Sequence, residues 1–180
     1  MNNKNIEIKP KLFLLDVDGV MTTGQFIYNK YGKVLKVFGP DDNDALSLLM
    51  KFIDIRFITG DRKGFDISKK RIVDDMKMKL DLVSTVKRIE WIKERYNPID
   101  VVYMGDGIFD HYVMKEVGYS IAPSNADTLA KSNANYVTQR PGGERAVAEA
   151  CLHLLNKFFE PYNPDNKPGA ENKDRGEWGI

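Results

Sequence analysis

The sequence predicts an α/β fold in which a parallel sheet is flanked by helices, and three observations carry that reading. Strand-sized runs end abruptly in an acid, threonine or glycine: Leu12-Phe13-Leu14-Leu15-Asp16, Ile55-Arg56-Phe57-Ile58-Thr59-Gly60 and Val101-Val102-Tyr103-Met104-Gly105-Asp106. The first of these carries four apolar residues in succession, the pattern of a strand buried on both faces rather than one. Between such runs lie segments with apolar residues at helical spacing, such as Leu46, Leu49, Met50 and Ile53, so that strands and helices alternate.

Taken in order, the first strand delivers two carboxylates, Asp16 and Asp18, at its C-terminal end. Side chains two apart on a strand point to the same side, and ligands in open α/β sheets bind beyond the strand C-termini. Gln25–Tyr28 and Val34–Phe38, β-prone runs around a turn with Gly32, predict a projecting hairpin. Such a ribbon is marginal alone, and Phe26, Ile27, Tyr28, Val34, Val37 and Phe38 give it a surface that calls for a partner, most simply a second copy of the chain. Pro40-Asp41-Asp42-Asn43-Asp44 then opens a helix to about Phe52, with acids and amide suited to capping.

After the Thr59-Gly60 strand end, residues 66–78 read as a helix, Leu80–Ser84 as a short extended link, and Ser84-Thr85 as the cap of a helix reaching about Tyr96, with Lys87 in its first turn. The Val101–Met104 strand passes into Gly105-Asp106-Gly107-Ile108-Phe109-Asp110, where glycine lets the chain turn and acids suit a hard cation. Gly118–Pro123 predicts a further strand, Ser124–Asp127 a helix start, and Ala134–Thr138 a closing strand. Arg140-Pro141-Gly142-Gly143 leads into an apolar helix to about Phe159. Residues 1–160 are expected to form one domain. Residues 161–180, rich in Pro, Asn, Asp, Lys and Gly, are expected to form a mobile tail in which Trp178 and Ile180 are the odd members.

Composition excludes several classes. At 180 residues, 42% hydrophobic and 29% charged, the chain suits one ordinary globular domain. Twenty-seven basic residues against 26 acidic ones leave a net charge of +1, so there is no basic field for nucleic acid. Apolar runs are strand-sized rather than membrane-spanning, and MNNKNIEIKP has no apolar h-region, which together predict a cytoplasmic protein. The single Cys151 lies in an apolar helical pattern and reads as a small core residue.

Asp16-Val17-Asp18-Gly19-Val20-Met21-Thr22 resembles motif I of the haloacid dehalogenase-like phosphohydrolases. Thr59-Gly60 resembles motif II, Lys87 stands at the place of motif III, and Gly105-Asp106 with Asp110 resembles motif IV. The resemblance implies a Rossmann-like fold and a Mg2+-dependent phosphomonoesterase with an aspartyl-phosphate intermediate. It makes Asp16 the nucleophile and Asp18 the proton donor and acceptor. Thr59, Gly60 and Lys87 become phosphoryl-binding groups, and Asp16, Asp106, Asp110 and the main-chain carbonyl of Asp18 the metal site. It also brings Asp42 near the substrate.

No segment is long enough to be a cap domain. The capless, hairpin-bearing pattern resembles phosphatases of 3-deoxy-D-manno-octulosonate 8-phosphate and of nonulosonate 9-phosphates in polysaccharide synthesis, which implies a homotetramer built through the hairpin. Two departures stand out. Relatives more often continue Thr-Gly-Arg where this chain has Asp61, leaving Arg62 or Lys63 to replace that arginine, and Gly107 and Phe109 replace an acid and an amide. A non-catalytic oligomerisation or regulatory domain, and a phosphatase of another sugar phosphate such as a heptose phosphate, are the alternatives.

Overall fold

The computed structural model describes residues 9–166. Six parallel strands, β1 (Leu12–Asp16), β4 (Asp54–Thr59), β5 (Lys79–Leu82), β6 (Val101–Met104), β7 (Tyr119–Ala122) and β8 (Tyr136–Val137), form one sheet in the order β5-β4-β1-β6-β7-β8. The remaining two strands, β2 (Thr22–Asn29) and β3 (Gly32–Phe38), make the expected antiparallel hairpin, with register shifts at Thr22/Phe26 and Ile27/Tyr28. Central β1 pairs Asp16 with Ile58 of β4 and Leu15 with Met104 of β6. Parallel pairing therefore brings the ends of three distant runs to one edge of the sheet.

Helices cover both faces, and the period of two in β1 divides the core between them. Phe13 and Leu15 pack with α1 (Asp42–Leu49) and α6 (Ala146–Phe158), joining Leu46, Leu49, Val147, Cys151 and Leu154. Leu12 and Leu14 face the other way, toward Ile92 of α3 (Arg88–Lys93), Val113 and Met114 of α4 (Asp110–Met114), and Ala130 of α5 (Thr128–Asn133). Cys151 is fully buried in the first cluster, as its pattern predicts. Among the described residues no helix is long and apolar enough to cross a membrane.

Several elements differ from their sequence readings. Expected to reach Phe52, α1 ends at Leu49, and Phe52 instead stacks on Phe159. The helix after β4 begins as α2 (Phe65–Lys69) and continues with wider turns over Lys70–Asp75. The segment read as one helix from Ser84 opens with a 3-10 turn, Thr85–Lys87, before α3, and the Ser84 side chain makes no cap hydrogen bond. Residues 161–166 are exposed and without regular structure; Trp178 and Ile180 lie outside the described residues.

Asp42 is the largest revision. Read as a cap of its own helix or a group near the substrate, it makes no cap hydrogen bond to α1 and does not line the cleft at the sheet edge. Its buried carboxylate accepts the Ala148 N–H of α6 at 2.9 Å and so ties α1 to α6. Burial pushes its pKa up to about 6, the Ala148 hydrogen bond opposing. The carboxyl therefore holds its proton more readily folded than unfolded, and its contribution to stability falls as pH climbs from 3.8 through about 6. Asp42→Asn keeps an acceptor for Ala148 and should stabilise the chain at pH 7 by on the order of 1–2 kcal/mol. Denaturant midpoints at pH 7 and pH 4 check this, because the gain should shrink at the lower pH.

Candidate active site

At the C-terminal edge of the sheet a cleft of about 600 Å³ opens between the hairpin and the loops after β1, β4 and β6. Asp16, Asp18, Gly60, Arg62, Arg88 and Asp106 line it. The two strands flanking β1 supply Thr59 and Asp106 by the pairing described above. Gly19 follows Asp18 at φ +90°, and the Asp106 carboxylate fills the space a Cβ there would need, so a larger residue would both strain the turn and displace Asp106.

Asp16 is 6% exposed. One of its oxygens accepts the Val17 N–H at 2.7 Å and the other accepts Arg88 Nη1 at 2.7 Å. The same Nη1 donates to Asp110 Oδ1 at 2.7 Å and to the Tyr103 hydroxyl at 2.7 Å, and that hydroxyl donates to Asp110 Oδ1 at 2.6 Å. The Gly107 N–H, at 2.8 Å, occupies the other oxygen of Asp110. Arg88 Nε is buried with no hydrogen-bond partner, which leaves a cationic donor unused beside the Asp16 carboxylate.

Carboxylate oxygens of Asp16, Asp106 and Asp110 come within 4.8 Å of one another. Burial pushes the Asp16 pKa up to about 6, with Arg88 pulling it down and Asp110 adding to the rise. Asp106 is pushed up to about 8 by burial, then by Asp16 and Asp110. Three acids compensated by one guanidinium form an oxygen-only set short of positive charge, the chemistry of a hard divalent cation such as Mg2+. The Asp18 carboxylate is not part of this set. It turns instead toward the hairpin, where Lys36 Nζ lies 2.7 and 2.9 Å from its two oxygens, and Thr59 Oγ1 donates to it at 3.1 Å.

The structure thus gathers Asp16, Asp18, Thr59, Gly60, Arg62, Asp106 and Asp110 and leaves Asp42 and Lys87 out. Lys87 is exposed at the end of the 3-10 turn, whereas Arg88 is 1% exposed and faces Asp16. Lys87 closes the 3-10 turn and Arg88 opens α3, so the inward face of the helix is counted from Arg88 rather than from the Ser84-Thr85 start. A signal for this was available, since Arg88 lies four residues before the buried Ile92 and hence on the same helix face. Asp61, which departs from the relatives' Thr-Gly-Arg pattern, is paired with Lys33 and Lys36. Burial alone would raise its pKa, but hydrogen bonds from the two lysines and the Gly64 N–H hold it at about 2.

Residues 25–150 match the haloacid dehalogenase-like hydrolases. The chain is 34% identical over 155 residues to the 3-deoxy-D-manno-octulosonate 8-phosphate phosphatase KdsC of Salmonella typhi, covering 81% of this chain and 79% of that protein. Among solved structures, the 3-deoxy-D-manno-octulosonate 8-phosphate phosphatase of Moraxella catarrhalis, in complex with magnesium, phosphate and KDO, superposes with a TM-score of 0.72 at 27% identity, covering 84% of this chain and 91% of that one. The Yersinia pestis enzyme of the same name gives 0.71 at 30% identity and 84% coverage of both chains. With motifs at three adjacent strand ends and a match across most of its length, the chain belongs to the haloacid dehalogenase-like hydrolases.

Proposed function

We propose that this hydrolase is a Mg2+-dependent phosphomonoesterase acting on a phosphorylated sugar acid, of the 3-deoxy-octulosonate 8-phosphate or nonulosonate 9-phosphate kind, in cytoplasmic polysaccharide precursor synthesis. The observation that carries this reading is the Asp16 carboxylate, held at the sheet edge by Arg88 and Val17 N–H within an acidic cluster. The similarity to 3-deoxy-D-manno-octulosonate 8-phosphate phosphatases supports the substrate class.

Asp16 attacks phosphorus, and the bond to the leaving oxygen breaks as the aspartyl-phosphate forms. Asp18 gives its proton to that oxygen and later takes one from the water that cleaves the acyl-phosphate. Arg88 balances charge on the Asp16 carboxylate before transfer and on the phosphoryl oxygens after it, while Thr59 and Gly60 face the same group from β4. Arg62, exposed at the rim of the cleft, is placed to meet an anionic substrate group. Asp16 and Asp106, backed by Asp110 and joined by the Asp18 main-chain carbonyl, would hold Mg2+, which supplies neutralising charge to the phosphoryl oxygens.

A panel of sugar phosphates assayed for phosphate release tests this. Turnover is expected with Mg2+, to be lost on chelation by EDTA and restored by added Mg2+, and to favour acidic sugars. Preference for a neutral sugar phosphate would move the substrate class, and no turnover anywhere would favour a non-catalytic domain.

The outer face of the hairpin supports assembly with further copies into a homotetramer, since Ile27, Tyr28, Leu35 and Val37 are about half exposed and Tyr31 is 85% exposed. Leu35→Glu is expected to yield a smaller species by light scattering; an unchanged mass would remove the hairpin from the interface.

A further inference from the structure

Strand β3 is built inside out. Val34, Leu35 and Val37 face solvent, yet Lys36 among them is 7% exposed, and its side chain is wholly buried. Its ammonium reaches Asp18 at 2.7 and 2.9 Å, Asp61 Oδ2 at 2.9 Å and Ser68 Oγ at 2.8 Å. Lys33, three residues earlier on the same strand, also pairs with Asp61 and lies 3.3 Å above the Phe26 ring. Gly64 makes room for both stems, since a Cβ there would come within 2.8 Å of Lys33 Cδ and of Lys36 Cε.

Burying an ammonium is costly unless its partners are fixed, and Lys36 neither packs in a hydrophobic cluster nor lines the cleft. Its partners show what it serves. Asp61 and Ser68 anchor the ammonium from the β4–α2 side, and its remaining hydrogen bond is spent on Asp18. Asp61 in turn accepts the Gly64 N–H at 3.0 Å, and its own N–H donates to Thr59 Oγ1 at 3.0 Å. The hairpin, Asp18, Thr59 and the loop after β4 are thereby locked into one polar network.

We infer that Lys36 is a positioning residue for proton transfer: carried in by the hairpin and anchored by Asp61 and Ser68, it fixes the Asp18 carboxyl where the leaving oxygen of the substrate will stand. The acid at position 61 is on this view a scaffold for the hairpin lysines rather than a substrate contact. This inference rests on the phosphomonoesterase reading above. Donation by Asp18 matters when the leaving group is an alkoxide and hardly at all when it is 4-nitrophenolate, which departs unprotonated.

The test compares kcat/KM, which reports steps through aspartyl-phosphate formation, for a sugar phosphate and for 4-nitrophenyl phosphate in wild type and Lys36→Met. The variant is expected to lose on the order of 10²-fold on the sugar phosphate and less than about threefold on the aryl ester, with Lys36→Arg recovering part of the loss. Ser68→Ala removes only one anchor, and should show the same bias at roughly threefold on the sugar phosphate; it serves should Lys36→Met fail to fold. Equal losses on both esters, or none, would overturn the inference while leaving the phosphatase reading intact. A wild-type chain inert toward both esters would overturn both.

Discussion

Replacing Asp16 by Asn is expected to abolish phosphate release, by on the order of 10⁴-fold or more, while leaving the fold intact. An amide oxygen can still accept the Val17 N–H, and Arg88 keeps Asp110 and Tyr103. What disappears is a nucleophile, since a carboxamide does not attack phosphorus. Removing one of three crowded acids also relieves repulsion. Asp106, whose pKa burial raises to about 8 with Asp16 and Asp110 adding to the rise, should ionise more readily in the variant. Stability without added cation should therefore hold or improve, and a thermal melt beside the phosphate assay separates lost chemistry from lost folding. Activity within tenfold of wild type would rule out an aspartyl-phosphate on Asp16.

The parts of the site that were legible in the sequence are those set by short-range rules. Four apolar residues ending in Asp16, and a strand ending in Gly105-Asp106, each say where a buried strand stops and what it presents there. Parallel pairing then adds the convergence of those ends at no further cost in information. Helix phase at Lys87-Arg88 was harder, because α3 starts only at Arg88, after a 3-10 turn, and a basic residue stands at both positions. Asp42 deceived for another reason: an acid beside a helix start reads as that helix's cap, and here it caps a helix 106 residues away. Lys36 was invisible, since alternation marks apolar burial and this lysine is buried by acids that only the folded chain brings to it.

Arg88 and its neighbour give the sharpest contrast between what the spacing suggested and what the fold does. Lys87→Ala should change activity less than twofold and stability within about 0.5 kcal/mol, as for an exposed side chain. Arg88→Met should instead lower kcat by on the order of 10²- to 10³-fold, the usual cost of deleting a charge that stabilises a developing anion. It should also cost about 3–5 kcal/mol of stability, because Asp16 and Asp110 are left buried without their cation. Burial works against the guanidinium charge, but the Asp16 and Asp110 carboxylates outweigh it and hold its pKa well above the usual value. Arg88→Lys separates charge from geometry. An ammonium restores a cation beside Asp16, but as a compact point charge it lacks the spread of donors that leaves Nε free in the wild type. Stability should therefore recover more completely than kcat. Equal recovery of the two would mean that charge alone is required at this position, and normal activity in Arg88→Met with loss in Lys87→Ala would return the role to the exposed lysine.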